Sequence, residues 1–474
     1  MKRTLALIPA LSLSACVVGP NYQRPATPTA AAGPFVATAP ATATTPLPDH
    51  WWRLYDDPAI DRLVGEALAH NTDIRVAAAS LARARAVLSE QRGARLPTTD
   101  ASAQFTRSRV NATQSGVGVP VEGNYFQVGF DASYEVDLFG GVTRAIEAAH
   151  GDVDAAAAQL DAARVSVAAE TARAYVTACS NAAQKAVAVD TVALQGKTLD
   201  LTKTLFDAGR GTKADVERAD VLLAQTQAQI PGFEAERRAA LYALAVLTGK
   251  PPEQVDPAAG ACVAPPKLKQ VLPVGDGAAL LARRPDVRAA ERTLAADTAR
   301  VGVATAQLYP SIKLLGSIGF GAPSVGDLFK RSSFSYSVGP LISWSFPNQV
   351  AARARVREAR ADADAQLARF DGTLLGALQE TEQALARYAG ALDRDNVLLR
   401  AETSSGEAAR LSRLRFDYGA DSFLLLISAE RDRADARAAR AQSDAAVADA
   451  QISLFKALGG GWEDAPAPAR AATP

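Results

Sequence analysis

The sequence predicts a mainly α-helical chain with a membrane β-barrel portion, built from two copies of one structural unit. Three observations predict it. The chain matches itself at long range, its helical tracts exceed ordinary globular helices, and two stretches alternate between apolar and polar residues.

The self-match is ordered along the chain. Asn71-Thr72-Asp73-Ile74-Arg75 recurs as Arg284-Pro285-Asp286-Val287-Arg288, an offset of 213 between Asp73 and Asp286. Arg95-Leu96-Pro97 recurs at that offset as Leu308-Tyr309-Pro310. Phe206-Asp207-Ala208-Gly209 recurs as Phe416-Asp417-Tyr418-Gly419, now 210 apart, and Leu244 and Gly249 match Leu454 and Gly459 in the same register. Solenoid repeats have periods of roughly 20–50 residues, so this is the duplication of one large unit. The copies span 59–249 and 275–459, joined by a linker at 250–274.

Each copy reads alike. A first helix covers 59–95 and again 275–309, each ending before a proline, where α geometry is disfavoured. A long helix covers 141–205 and 349–415, and a last helix covers 212–248 and 421–458. No proline occurs in 121–230 or in 348–465, and these Ala-, Arg- and Glu-rich tracts are strong helix formers. At 1.5 Å per residue the long helix runs roughly 100 Å, and two shorter helices stacked end to end roughly 110 Å. Such matched lengths suit a long antiparallel coiled-coil tunnel better than a globule.

The strand regions are expected at 98–108, 124–139, 311–320 and 334–346. Along the second, Phe126, Val128, Phe130, Ala132, Tyr134, Val136 and Leu138 share one face, opposite Tyr125, Gln127, Gly129, Asp131, Ser133, Glu135 and Asp137. Phe334, Tyr336, Val338, Pro340, Ile342, Trp344 and Phe346 repeat the pattern. Period two with one apolar face marks a strand, and about 13 residues with terminal aromatics suits a tilted membrane strand. Four strands cannot close a barrel, and lipid does not tolerate open edges. A homotrimer supplies twelve.

The N-terminus adds an address. Lys2 and Arg3 precede an apolar stretch from Leu5 to Leu13, the pattern of a signal peptide over 1–15. Leu13-Ser14-Ala15-Cys16 resembles the lipobox of bacterial lipoproteins, which implies a diacylated Cys16. Val17 and Val18 follow, where an aspartate would favour inner-membrane retention, so the outer membrane is expected. Residues 16–58 form the lipid-anchored N-terminal segment, with 26–48 a flexible or extended lead, and 460–474 form the tail. Cys179 and Cys262 fall in dissimilar settings and are expected as free thiols.

Composition narrows the function classes. The 51 basic and 51 acidic side chains leave no positive excess for nucleic acid. His50, His70 and His150 are scattered, no Cys/His cluster has metal-ligand spacing, and no phosphate loop or nucleophile motif occurs. No enzyme, metal or cofactor is expected beyond the lipid on Cys16.

The mature start Cys16-Val17-Val18-Gly19-Pro20-Asn21-Tyr22-Gln23-Arg24-Pro25 carries a resemblance. So do Trp51-Trp52, Tyr134-Glu135-Val136-Asp137-Leu138-Phe139-Gly140 and Lys456-Ala457-Leu458-Gly459-Gly460-Gly461-Trp462. Together they resemble the TolC/NodT-like outer membrane efflux proteins over essentially the whole mature chain. The resemblance implies a trimeric exit duct for small molecules (drugs, toxic compounds or metal ions), with a periplasmic adaptor and an inner-membrane proton-driven transporter as partners. It further implies a periplasmic gate just after the second-repeat turn, at Leu424 and Ser428, the latter where relatives commonly carry aspartate. Arg210, Lys213, Asp215 and Arg218 lie near the same tip, as candidates for pairing across protomers or as a solvated surface. Adaptor docking is expected at the turns containing Gly209 and Gly211, and Gly419 and Asp421. A tunnel for protein secretion and a structural coiled-coil lipoprotein are the alternatives.

Overall fold

The computed structural model describes residues 17–26, 32–37, 42–45, 47–111, 113, 116, 119–268 and 270–463. The signal-peptide region, Cys16 and 464–474 lie outside the described residues. In chain order the elements are α1 (Pro58–His70), α2 (Thr72–Gly93), β1 (Thr98–Val110), β2 (Val121–Val136), α3 (Gly141–Asp207), α4 (Lys213–Gln227) and α5 (Ile230–Leu247). Then follow α6 (Gly277–Arg283), α7 (Pro285–Ala306), β3 (Ser311–Ala322), β4 (Phe334–Ser343), α8 (Val350–Asp417) and α9 (Phe423–Ala457). Two compact units emerge. One contains the residues up to Pro25, Leu81–Ala156 and Ala290–Phe370. The other contains Ala26–Ser80, Ala157–Ala289 and the chain from Asp371 onward.

The first unit holds a four-stranded antiparallel sheet in the order β1-β2-β3-β4. Its register sorts the side chains by face. Phe126 stands opposite Phe105 and Ala322, Phe130 opposite Ile318, and Ile318 opposite Tyr336. One face thus carries Phe105, Phe126, Phe130, Ile318, Phe320, Phe334, Tyr336 and Val338. The other carries Ser102, Gln127, Asp131, Ser317 and Ser337, with Ser317 and Ser337 hydroxyls 2.8 Å apart. The apolar face is uncovered: Tyr336 is 72% and Val338 82% exposed. Both outer strands, β1 and β4, pair on one side only.

The second unit is helical, and its core gathers the aromatic signature of the sequence. Trp51 is fully buried and stacks on Phe455 with centroids 4.5 Å apart. Trp52 meets Trp51 and Tyr55 meets Phe455 edge-on, at 5.8 and 6.2 Å, and Ile60, Leu63, Leu385, Ile452 and Leu454 of the same unit are buried as well. The Gly459-Gly460-Gly461 run closes over this cluster. A Cβ on Gly460 would stand 2.6 Å from Leu47 Cδ2, so a side chain there requires Leu47 to shift. Trp462 then receives the Arg288 guanidinium over its ring at 4.3 Å. The expected tail therefore begins with a packed segment at 460–462.

The expected 37-residue helices are mostly interrupted. At Asn71 the side-chain Oδ1 accepts the Asp73 and Ile74 N–H groups (2.8 and 3.4 Å), restarting the helix as α2. Its Nδ2 donates to Leu247 O at the end of α5 (3.0 Å). In the second copy Arg284 precedes Pro285, which disfavours helix at that position. Arg284 Nη1 donates to Ala457 O at the end of α9 (2.9 Å). The same join is thus made by an amide in one copy and a guanidinium in the other. Pro231 splits α4 from α5, whereas α9 has no proline and runs unbroken.

Three further expectations change. The lead is docked where it is described: Val36 and Ala37 N–H groups donate to Glu382 (2.7 and 2.8 Å), and Thr42–Ala43 pair in parallel with Leu272–Pro273. The linker carries a helical turn, Pro257–Gly260, capped by Asp256 and held through a bidentate Arg62–Asp256 pair (2.6 and 2.9 Å). That pair holds the Asp256 carboxyl down to about 2. Thirdly, Cys179 and Cys262 are not free but joined in a disulfide, Cα atoms 5.2 Å apart. The capped turn delivers Cys262 onto α3, a tertiary approach that the residues' sequence settings did not reveal.

The bridge closes a loop across 83 residues. Reduction, or the paired Cys179→Ala and Cys262→Ala substitutions, is expected to lower stability by about 2–4 kcal/mol. Thermal unfolding in detergent with and without reductant checks this, and an unchanged midpoint would contradict it.

Candidate functional site

The two helical turns of the second unit, Ala208–Thr212 and Tyr418–Ser422, are built alike. In the first, Gly209 N–H donates to Phe206 O (2.9 Å) and Arg210 N–H to Leu205 O (2.8 Å). In the second, Gly419 N–H donates to Phe416 O (2.9 Å) and Ala420 N–H to Arg415 O (2.8 Å). Both glycines have φ +72°, the left-handed conformation that a Schellman motif requires and that glycine adopts without strain. One stop signal is thus copied in both repeats.

The helix starts differ. Thr212 and Asp215 form a reciprocal capping box: Thr212 Oγ1 accepts Asp215 N–H (3.2 Å) and Asp215 Oδ2 accepts Thr212 N–H (3.1 Å). In the second copy Ser422 makes no side-chain cap. Asp421 instead accepts from Arg415 Nε (2.9 Å). Asp215 is therefore engaged within its own chain, with Arg218 at 3.7 Å. Arg210 and Lys213 are exposed at the turn and at the first residue of α4.

A groove of about 470 Å³ runs between α4 and α9. One wall is Arg218, Val221, Leu222 and Gln225; the other is Leu424, Ile427, Ser428 and Arg431, with Glu217 at the rim. Each wall is an i, i+3, i+4, i+7 set, the face that helical periodicity places on one side. The structure therefore brings Leu424, Ser428 and Arg218 together and leaves Arg210, Lys213 and Asp215 off the groove. Beneath it Leu199, Ala219 and Ile427 form a small buried cluster flanked by Val216, Leu222, Leu223 and Phe423. Leu424 itself is 57% exposed, with Leu425 and Tyr418 also open to solvent. The helical spacing that would have exposed Val221 and Gln225 was present in the sequence.

One residue that carried no motif is Glu430. It is buried on α9 beside Gln195 and Leu194 of α3, and its Oε2 has no hydrogen-bond partner among the described residues. Burial pushes its carboxyl above the usual range, opposed by the charges of Arg413 and Arg433. Arg413 donates to Thr198 Oγ1 on α3 (3.1 Å), and Arg437 lies 3.5 Å from Asp190. The seam between these helices is polar and incompletely bonded. Seams of that kind separate at lower cost than a close-packed apolar one.

Among the described residues no group of three or more His, Cys, Asp or Glu side chains is arranged to hold a metal ion. No described helix is long and apolar enough to cross a membrane.

Comparison with known proteins agrees with this geometry. The sequence pattern of the family described as "Outer membrane efflux protein" matches residues 63–250 and 278–460. The chain is 32% identical over 465 residues to outer membrane protein OprJ of Pseudomonas aeruginosa, covering 97% of this chain and 96% of that one. It is 29% identical to the solvent efflux pump outer membrane protein SrpC of Pseudomonas putida, over 97% of this chain and 98% of that one. Among solved structures, the outer-membrane channel OprN superposes with a TM-score of 0.87 at 37% identity, covering 94% of this chain and 100% of that one. The open state of the Neisseria gonorrhoeae MtrE channel superposes at 0.80 with 29% identity, covering 94% of this chain and 99% of that one. These are channels, conduits rather than catalysts. The chain belongs to the outer membrane efflux protein family, as an outer-membrane channel subunit of a TolC-like efflux system for small molecules.

Proposed function

We propose that three copies of this chain close a twelve-stranded barrel in the outer membrane and continue it as a periplasmic helical tunnel. The observation that carries this reading is the sheet in the first unit, with its uncovered apolar face and two unpaired edges. An open edge in hydrocarbon leaves backbone groups unsatisfied at several kcal/mol each, and pairing β1 of one protomer with β4 of the next removes every edge. The polar face, with Asp131, Ser317 and Ser337, then lines the water-filled interior. Cys16 carries the acyl chains that anchor the protomer to the outer membrane.

In this reading a periplasmic adaptor docks on the turns at Gly209–Gly211 and Gly419–Asp421 and links the tunnel to an inner-membrane proton-driven transporter. Leu424 from each protomer forms an apolar constriction that gates by dewetting, and Ser428 stands one turn further along the same face without adding charge. Arg210, Lys213 and Arg218 contribute exposed positive charge near it. The cargo is a small molecule; SrpC, a relative, is named for solvent efflux.

Sedimentation of the purified protein in mild detergent is expected to give the mass of three chains, and a stable monomer would overturn the trimer. Metabolic labelling with palmitate is expected to mark the wild-type chain and not Cys16→Ala; label on the variant would sink the anchor. Replacing Leu424 with Ser wets the constriction and is expected to raise uptake of large antibiotics several-fold in intact cells. Unchanged uptake would remove Leu424 from the gate.

Glu430 gives a pH prediction. Its folded-state pKa is raised above the ordinary value of 4.5, so the stability it contributes is full below 4.5 and lost as pH rises through the raised value. Glu430→Gln is therefore expected to raise thermal stability at neutral pH and flatten the decline above pH 4.5. A variant less stable than wild type at neutral pH would contradict this.

A further inference from the structure

The first described residues are docked at the strand-to-helix junction of the first unit. Val18 N–H donates to Phe139 O (3.2 Å). Arg144, in the first turn of α3, has a side chain only 4% exposed and spends its donors almost wholly on this segment. Its Nε donates to Val18 O (3.2 Å), and its Nη2 donates to Gly19 O (3.4 Å) and Asn21 Oδ1 (2.6 Å). Nη1 donates to Glu147 Oε2 (2.7 Å), which balances the charge. Four residues beyond Gly19, Gln23 leads to Arg24, whose Nη2 lies 3.3 Å from Glu291; Tyr22 OH donates to the same carboxylate (3.2 Å).

The backbone is shaped for this contact. A Cβ on Gly19 would stand 2.5 Å from Gly302 Cα, and a Cβ on Gly302 would stand 2.8 Å from the Arg144 stem. Neither position has room for a side chain. Val17 packs against Gly140, where an added Cβ would come within 2.8 Å of Val17 Cα. The segment is therefore seated by hydrogen bonds, by charge and by shape.

Its place in the unit points to a lipid partner. Phe139 stacks on Tyr309 (4.6 Å), Trp344 stacks on Phe346 (4.7 Å), and Phe139, Tyr309 and Trp344 line one cavity of about 430 Å³. Aromatics at strand ends mark the headgroup level of a membrane. Cys16 is one residue before Val17, a Cα step of about 3.8 Å.

We propose that residues 17–24 form a strap, clamped by Arg144, that fixes where the acyl chains of Cys16 enter the lipid: at the aromatic strand ends. This rests on the reading of Cys16 as lipidated. Arg144 is a positioning residue. It holds the strap by a planar fork that a lysine ammonium cannot reproduce. The strap is protein-held, so it stays seated without the lipid.

Amide hydrogen exchange of peptides covering 17–24, in the full chain in detergent, tests this. Wild type and a Cys16→Ser chain secreted through a non-lipoprotein signal are expected to show equal protection. Arg144→Ala is expected to exchange on the order of tenfold faster or more, as loss of charge-assisted hydrogen bonds implies, with Arg144→Lys between. Asn21 lies outside every helix and strand and meets α3 through Arg144 alone among its printed bonds, so Asn21→Ala guards against a folding failure in Arg144→Ala; it too is expected to exchange faster. Unchanged protection in both alanine variants overturns the clamp. Loss of protection in Cys16→Ser overturns it as well, because lipid alone would then hold the segment. A wild-type chain that incorporates no labelled palmitate, with the strap still protected, overturns the lipid-entry half and leaves the docking intact.

Discussion

A backbone N–H or C=O left unpaired in hydrocarbon costs several kcal/mol, and the sheet of β1 to β4 ends in two rows of them. Its apolar face leaves Phe105, Phe130, Tyr336 and Val338 exposed among the described residues. In the proposed barrel, lipid covers the face and the neighbouring protomers' strands satisfy the edges. The proposed trimer follows from that pairing requirement rather than from any attraction between helices. The polar face follows too, since residues of the alternate register turn inward once the sheet closes.

Duplication supplies the rest of the architecture at low cost in invention. Both copies stop their long helix with the same Schellman turn, at Gly209 and Gly419, and both tie the helix break to the last carbonyl of the repeat, through Asn71 and Arg284. The copies then diverge at the helix starts that follow these turns. Thr212 and Asp215 lock the start of α4 with a capping box, whereas Ser422 leaves the start of α9 uncapped by a side chain. The α9 side also carries Leu424 and the underbonded Glu430.

Much of this was legible in the residues. Period-two alternation gave β2 and β4 and their faces, since a strand with one apolar side places its apolar residues at every second position. Proline-free tracts gave α3 and α8 to within two residues at either end. What escaped were features decided by distant contacts. The break at Asn71 has no proline to announce it; it depends on a side chain that caps one helix and reaches Leu247, 176 residues away. The Cys179–Cys262 bridge follows a turn that Arg62 ties down through Asp256, and the segment from Val18 to Asn21 is bonded to Arg144. Leu424 and Ser428 were expected from the family pattern; in the structure they line a groove with Val221, Gln225 and Arg431, which α4 and α9 bring together across it.

Single-channel recording on the purified protein in planar bilayers tests the central claim most directly. Discrete conductance steps from a species with the mass of three chains are expected, with a larger basal conductance when Leu424 is replaced by Ser. A trimer that inserts and passes no current in either form, or current from a monomer, would contradict it.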